Sequence, residues 1–298
     1  MGIDRRTLLK SMAAAGATTL AKASPVQARE AKAPPSDAVG MLYDTTRCIG
    51  CKACVVACKE ANGDVADTRV PGMGIYDAPT DLNDRTRNVI KLHRDADEEA
   101  FVKKQCMHCV DPACVGACML GALQKREFGV VTWNGDLCIG CRYCQVACPF
   151  NVPAFEWDSA TPSIVKCEMC SHRLAEGKEP ACCEVCPREA VIFGDYQEIL
   201  RIARNRLEQY PDRYYPKIYG ETEFGGTQVL YLSHVPFEKL GFREGSEESI
   251  PHLQQTIQHG VYKGFVAPAA LYAMMGVVLF RNRRANEKAA AGGREGPG

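Results

Sequence analysis

Hydrophobic and polar positions along the chain change period several times, and each change marks an element. Ile199, Ile202, Ala203 and Leu207 recur at helical spacing, and Asp195 with Glu198 three residues on supplies the capping signal at the start of that helix. Just before it, 190–193 is a short apolar run that reads as a strand. Ala122-Leu123-Gln124 and Val130-Val131-Thr132 flank Glu127-Phe128-Gly129, the pattern of a short hairpin. The 17 residues 264–280 carry no charge and lie between Tyr262-Lys263 and the basic residues Arg281, Arg283 and Arg284. That run predicts a single membrane-spanning helix at the short end of the usual range of about 17–25 residues. A buried core helix is the rival reading, but such a helix seldom ends on three arginines and an Ala/Gly-rich polar tail. The basic flank predicts a cytoplasmic tail over 281–298, and small residues such as Gly264, Ala267, Ala270 and Gly276 would let another helix approach closely.

At the other end, Asp4-Arg5-Arg6-Thr7-Leu8-Leu9-Lys10 precedes a mildly apolar stretch, 12–21, and the small-residue cleavage pattern Val26-Gln27-Ala28. This resembles a twin-arginine export signal over 1–28, although Asp4 and Leu8 stand where Ser or Thr and Phe are usual. Such a route accepts cargo already folded around a cofactor. An exported body with a cytoplasmic C-terminus gives one consistent single-pass topology, with the body on the periplasmic face of the cytoplasmic membrane.

Charge excludes one class of partner. The chain has 36 basic and 36 acidic side chains, and removal of 1–28 leaves 32 against 35, so no basic excess marks a nucleic-acid binder. Cysteine changes the picture far more. All 17 lie between Cys48 and Cys186, in tight groups, where a disulfide framework would belong to a much shorter exported chain.

Four groups are present. Cys48, Cys51, Cys54, Cys58 and Cys138, Cys141, Cys144, Cys148 both follow C-x2-C-x2-C-x3-C, while Cys106, Cys109, Cys114, Cys118 and Cys167, Cys170, Cys182, Cys186 are the other two. CIGCKACVVAC returns as CIGCRYCQVAC, and DPACVGAC is echoed by EPACCEVC, so the cysteine modules are duplicated. Aligning Asp111-Pro112-Ala113-Cys114 with Glu179-Pro180-Ala181-Cys182 makes Cys182 the ligand and leaves Cys183 as a surplus thiol, a small buried hydrophobe. Three closely spaced thiolates suit one corner-by-corner wrap around a 4Fe-4S cubane, and in two-cluster ferredoxins the last cysteine of such a run ligates the neighbouring cluster. Zinc also favours paired C-x2-C knuckles, but it rarely uses three in a row and needs no such cross-ligation. Four 4Fe-4S clusters are therefore expected.

The linkers decide which groups pair. Residues 59–105 make a linker of 47, against 19 for 119–137 and 18 for 149–166, so pairing groups one and two would place a bulky insertion inside one ferredoxin unit. Nesting groups two and three inside one and four avoids it. The expected fold is α+β: two nested bacterial-ferredoxin-like modules of two clusters each, the outer from 41–105 and 149–194 and the inner from 106–148. A C-terminal extension, 195–260, and the single transmembrane helix follow.

Several segments, KKQCMHCVDPACVGAC, CRYCQVACPFNVP, GMLYDTTRC, GGTQVLYL and IQHGVYKG, together resemble the HybA-type ferredoxin-like subunit of membrane-bound NiFe hydrogenases facing the periplasm. IYDAPTDL and EPACCEVC are similar to the beta subunit of respiratory formate dehydrogenase as well. The resemblance implies four ligand sets: Cys48, Cys51, Cys54 with Cys186; Cys167, Cys170, Cys182 with Cys58; Cys106, Cys109, Cys114 with Cys148; and Cys138, Cys141, Cys144 with Cys118. It further implies a non-catalytic electron-transfer subunit of a hydrogen:quinone oxidoreductase. Its partners would be the small and large NiFe hydrogenase subunits, a quinone-reactive integral membrane subunit, and membrane lipid around the C-terminal helix. A formate dehydrogenase or another molybdenum or tungsten enzyme is the alternative partner, and a docking scaffold with purely structural clusters is the alternative of another class. His93, His108, His172, His252 and His259 read as surface or supporting groups, and Trp133 and Tyr143 as packing near a cluster. Lys103 and Lys104 either offset cluster charge or decorate a solvated strand edge.

Overall fold

The computed structural model describes residues 32–65, 79–96 and 98–292, without the side chains of 255–270 and 288–292. The expected export signal, 1–28, lies outside the described residues. Two compact units are distinguished, a body over Ala31–Pro251 and a second unit that holds His252–Gly298.

In chain order the body contains β1 (Val39–Asp44), α1 (Ala53–Asn62), β2 (Val89–Arg94), β3 (Glu99–Lys104), α2 (Ala113–Gly116), β4 (Leu123–Lys125), β5 (Val131–Trp133) and α3 (Tyr143–Ala147). It continues through β6 (Ala154–Phe155), β7 (Ile164–Val165), α4 (Ser171–Ala175), α5 (Ala181–Glu184), β8 (Val191–Asp195), α6 (Tyr196–Gln209) and β9 (Val229–Leu232). The mixture of short strands and helices, with ferredoxin-type cysteine loops between them, is the α+β organisation expected.

β1 is the middle strand of a three-stranded sheet, antiparallel to β8 and parallel to β9. Alternation along β1 gives this sheet two buried faces. Met41 and Tyr43 pack with the cysteine-bearing core, and Leu42 packs on the opposite side with Tyr196, Ile199, Leu200 and Ala203 of α6. β9 repeats the division, with Val229 and Tyr231 toward the cysteines and Leu230 and Leu232 toward the helix. The Asp195 carboxylate accepts from the Gln197 and Glu198 amides at 2.9 and 3.2 Å, so the cap anticipated for α6 is formed. Full burial of Ile199 or Leu200 contributes about 1.5–3 kcal/mol each, which holds α6 against the sheet. The expected hairpin is β4 with β5, one residue later than the sequence pattern suggested, in a register that sets Leu123 opposite Trp133 and Lys125 opposite Val131.

Two features were not anticipated. The long linker after Cys58 contains the β2–β3 hairpin, with Ile90 opposite Lys103. The segment expected as an extension supplies β9, and so contributes a strand to the sheet that carries the cysteine core.

The C-terminal helix α7 (Ile250–Gly292) includes the run 264–280. Among the described residues no helix is long and apolar enough to cross a membrane. The described part of the run, 271–280, is too short for that by itself, and the side chains of 264–270 lie outside the described residues. The spanning helix expected from the sequence is therefore not supported by the residues described.

Candidate metal centres

The cysteine loops are built from backbone that turns left-handed at fixed places. Gly50 and Lys52 have φ of 68° and 58°, and Gly140 and Arg142 have 70° and 62°, so the duplicated CIGC segments share one conformation. Met169 and Cys170 in group four and His108 in group two are left-handed as well. Such residues let the chain wrap tightly enough for neighbouring thiols to face a common centre. At Gly50 the need is also steric, because a Cβ there would lie 2.3 Å from the Phe101 ring. Cys54 and Cys58 ride on α1, Cys144 on α3, Cys114 on α2 and Cys182 on α5.

The structure gathers the thiols in four places. Cys48, Cys51, Cys54 and Cys186 line a cavity with Tyr43 and Ile90. Cys118, Cys138, Cys141 and Cys144 line another with Trp133 and Leu123. Cys58, Cys170 and Cys167 all act electrostatically on one another or on Cys182. Cys106, Cys114 and Cys148 all crowd Cys109. In every one of these places three thiols come from one loop and one from another.

Adjacent places also come within electrostatic reach of each other. Cys54 lies within electrostatic reach of Cys182, Cys167 of Cys106, and Cys114 of Cys144. These links order the four places in a line, from the Cys48 set through the Cys58 and Cys106 sets to the Cys118 set. Only Cys51 and Cys141 are exposed, one in each end set.

Burial decides the protonation of these thiols. It pushes Cys54 and Cys114 up to about 12 and Cys58 and Cys144 up to about 11, with further upward pressure from neighbouring sulfurs. Cys109 and Cys167 are pushed well above the ordinary thiol value by burial first and by adjacent thiols second. A bound cationic centre is what would turn such groups into thiolates, so the donor set is suited to metal and unsuited to free nucleophiles. None of the 17 cysteines is in a disulfide. Among the described residues no three His, Cys, Asp or Glu side chains draw together tightly enough to hold one ion directly. A zinc site would collect four ligands at about 2.0–2.3 Å from one atom; four cysteines that line a common cavity without closing on one point suit a multi-iron cluster better.

Unpartnered donors point the same way. The Val131 amide donates to His108 Nδ1 at 3.1 Å, which places the ring proton on Nε2, and Nε2 is buried without a partner among the described residues. Burial, with Lys166 and Lys125 nearby, keeps His108 well below the usual imidazole range and hence neutral. Trp133 Nε1 is likewise buried and unpartnered among the described residues, on a side chain that lines the cavity of the Cys118 set. Both are N–H groups beside sulfur-rich loops, where cluster or thiolate sulfur would be the natural acceptor. Of the other histidines, His93 lies on β2, His172 on α4 and His252 on α7, while the side chain of His259 is outside the described residues.

Cys183 and Cys182 are adjacent buried thiols with opposite electrostatics. A hydrogen bond from Cys183 pushes the Cys182 thiol down, with Lys103 adding to the effect, and the same bond pushes Cys183 up. Replacing Cys183 by alanine is expected to leave iron content unchanged and to cost about 1–2 kcal/mol of stability, measured by iron assay and thermal melting.

The two lysines of β3 separate. Lys104 is partly buried and pairs with Asp81 at 2.9 Å. Lys103 is fully buried, and its ammonium faces Cys54, Cys167 and Cys182. Sequence reasoning did not single out Lys166, which is also buried and donates to the carbonyls of Val131 and Cys167, or Lys125, whose ammonium donates to the Cys109 carbonyl at 2.7 Å.

A 4Fe-4S dicluster domain matches residues 98–196, and a 4Fe-4S binding domain matches 39–60. The chain is 45% identical to a protein of Nitratidesulfovibrio vulgaris over 81% of its own length and 67% of the relative's. It is 37% identical to the hydrogenase-2 operon protein HybA of Escherichia coli O157:H7, over 95% of this chain and 96% of that one. Similarity extends to the formate dehydrogenase-O iron-sulfur subunit of Escherichia coli K12, at 36% identity over 78% of this chain and 77% of that one.

Proposed function

The chain belongs to the family of iron-sulfur subunits that includes HybA and the formate dehydrogenase iron-sulfur subunits, and from that membership we propose that it relays electrons from a periplasmic NiFe hydrogenase to a quinone-reactive membrane subunit. The observation that carries this reading is the unbroken line of four thiol sets, with an exposed cysteine only at each end.

We assign sixteen ligands to four 4Fe-4S clusters: Cys48, Cys51, Cys54 and Cys186; Cys58, Cys167, Cys170 and Cys182; Cys106, Cys109, Cys114 and Cys148; Cys118, Cys138, Cys141 and Cys144. Each bound cluster supplies reversible one-electron chemistry. The protein does the rest. Interleaved loops hold neighbouring sets close, because Cys58, Cys118, Cys148 and Cys186 are each lent to a set whose other three thiols come from a different loop. The core that includes β1 and β9 packs against Cys182 of the second set and Cys109 of the third, and the exposed thiols lie in the end sets, so reducing equivalents are delivered at the ends. No described residue is assigned a step in substrate chemistry, and the nested outer and inner modules serve as the frame.

The experiment is to isolate the tagged full-length chain from membranes without oxygen, identify the subunits that accompany it, and expose the assembly to hydrogen or to formate. Hydrogen-dependent reduction with a NiFe subunit present supports the proposal. Reduction by formate alone moves the assignment to a formate dehydrogenase, and reduction by neither leaves a structural scaffold.

The proposed address is the periplasmic face of the cytoplasmic membrane, reached by twin-arginine export and held by 264–280 as a single-pass anchor in lipid, with a cytoplasmic tail. Its support is the uncharged run, its arginine flank and the paired arginines near the N-terminus. Deletion of 264–298 is expected to release the body into the soluble fraction; retention of that variant on salt-washed membranes lacking the partner subunits would rule the anchor out.

A further inference from the structure

Lys103 is a charge placed where a lysine is costly. Its side chain has no exposure, and bringing an ammonium out of water costs several kcal/mol unless the surroundings compensate. Among the described residues no carboxylate pairs with it. Its ammonium donates to Gln105 Oε1, and the sulfurs of Cys54, Cys167 and Cys182 lie within electrostatic reach of it. Across the β2–β3 hairpin it stands opposite Ile90, which lines the cavity of the Cys48 set.

The position is built, not accidental. Lys103 shares a face of β3 with Phe101, whose ring packs over the Gly50 turn of the Cys48 set. The Tyr231 hydroxyl donates to the Lys103 carbonyl at 2.9 Å, and the Tyr43 hydroxyl donates to the Phe101 carbonyl at 2.8 Å, so two side chains of the central sheet pin this strand. Lys103 acts on Cys54 of the first set and on Cys58, Cys167 and Cys182 of the second. In the Cys118 set, Cys144 responds to Cys118, Cys138 and Cys141.

We infer that Lys103 is a potential-setting residue for the first two clusters, its buried positive charge making the Cys58 set and, to a smaller degree, the Cys48 set easier to reduce than the same sulfur cages would be alone. This rests on the four-cluster reading above. Adding an electron to a cluster adds negative charge, and in a water-excluded core a fixed cation beside it stabilises the reduced form. Lys103 would thus tune the step between the first set and the second without touching the electron donor or acceptor.

The test uses the full-length protein, purified anaerobically, as the unaltered chain and as Lys103→Met, Lys103→Gln and Lys103→Arg. Each is assayed for iron and titrated by electron paramagnetic resonance. In the Met and Gln variants two of the four midpoint potentials should fall, with a tenfold or larger loss in the reduction equilibrium, equivalent to 59 mV per one-electron step. The other two should stay in place, and Lys103→Arg should keep all four near their unaltered values. Four unchanged potentials in an iron-replete Met or Gln variant would overturn the inference. So would a uniform shift of all four, or iron loss in all three variants including Arg, because either assigns Lys103 to folding alone. Failure of the unaltered protein to show four reducible clusters would instead sink the reading on which the inference rests.

Discussion

Replacement of Cys167 by alanine is expected to remove about a quarter of the iron and to lower hydrogen-dependent quinone reduction in membranes by at least about 100-fold. Cys167 is buried at the joint of the line, within reach of Cys58 and Cys182 in its own set and of Cys106 in the next. Loss of a group that merely supports a metal ligand already costs about 10–100-fold, so loss of a ligand should cost more. The gap it leaves lies mid-relay, where no exposed thiol offers a detour. Hydrogen-dependent reduction of an artificial dye by the catalytic subunit should stay unchanged, which separates a broken relay from a dead enzyme. Quinone reduction at the unaltered rate, with the iron lost, would show that the second set lies off the electron path.

The second large effect is expected at the far end of the line. Ile139 and Val146 are 69% and 85% exposed, and Met119 beside the same cavity is 70% exposed. Exposed apolar side chains of this size on a subunit of a larger complex mark a docking face. The double substitution Ile139→Glu with Val146→Glu should leave iron content and melting temperature near their original values, since neither side chain is in the core. Burying two unpaired carboxylates in an interface costs several kcal/mol, and each 1.4 kcal/mol is about tenfold, so affinity for the adjoining subunit should fall on the order of 1000-fold. Co-purification from membranes measures it; undiminished recovery of the complex would show that this face looks onto solvent.

The cysteine spacing was legible because it is local. C-x2-C-x2-C determines a wrapped loop within ten residues, and the duplicated CIGC carries its own conformational signal, a glycine at the left-handed position two residues after the first cysteine, at Gly50 and Gly140. The helix after Asp195 and the hairpin around Phe128 were legible for the same reason, through capping and alternation over a few residues. Lys103 was legible only as two open readings, a charge offset to a cluster or a solvated strand edge. Glu99-Ala100-Phe101-Val102-Lys103-Lys104 presents a strand with two lysines at its end, which locally looks solvated. The face it turns inward meets Cys54 and Cys182, far along the chain in both directions, and no local pattern encodes that. β9 was missed because Val229–Leu232 is buried on both faces, which erases the period-two signal that marks a half-exposed strand. His108 shows the limit of residue type as a guide: its role depends on which ring nitrogen is already satisfied, and the Val131 amide decides that from another strand.

Quantification of iron, acid-labile sulfide and reduced spins in full-length protein purified without oxygen bears most directly on the assignment of sixteen thiols to four cubanes. The expected result is about 16 irons per chain, a matching amount of sulfide and four paramagnetic centres on full reduction. A preparation that is folded and colourless with zinc bound, or one that holds about 8 irons or fewer at full occupancy, would contradict it.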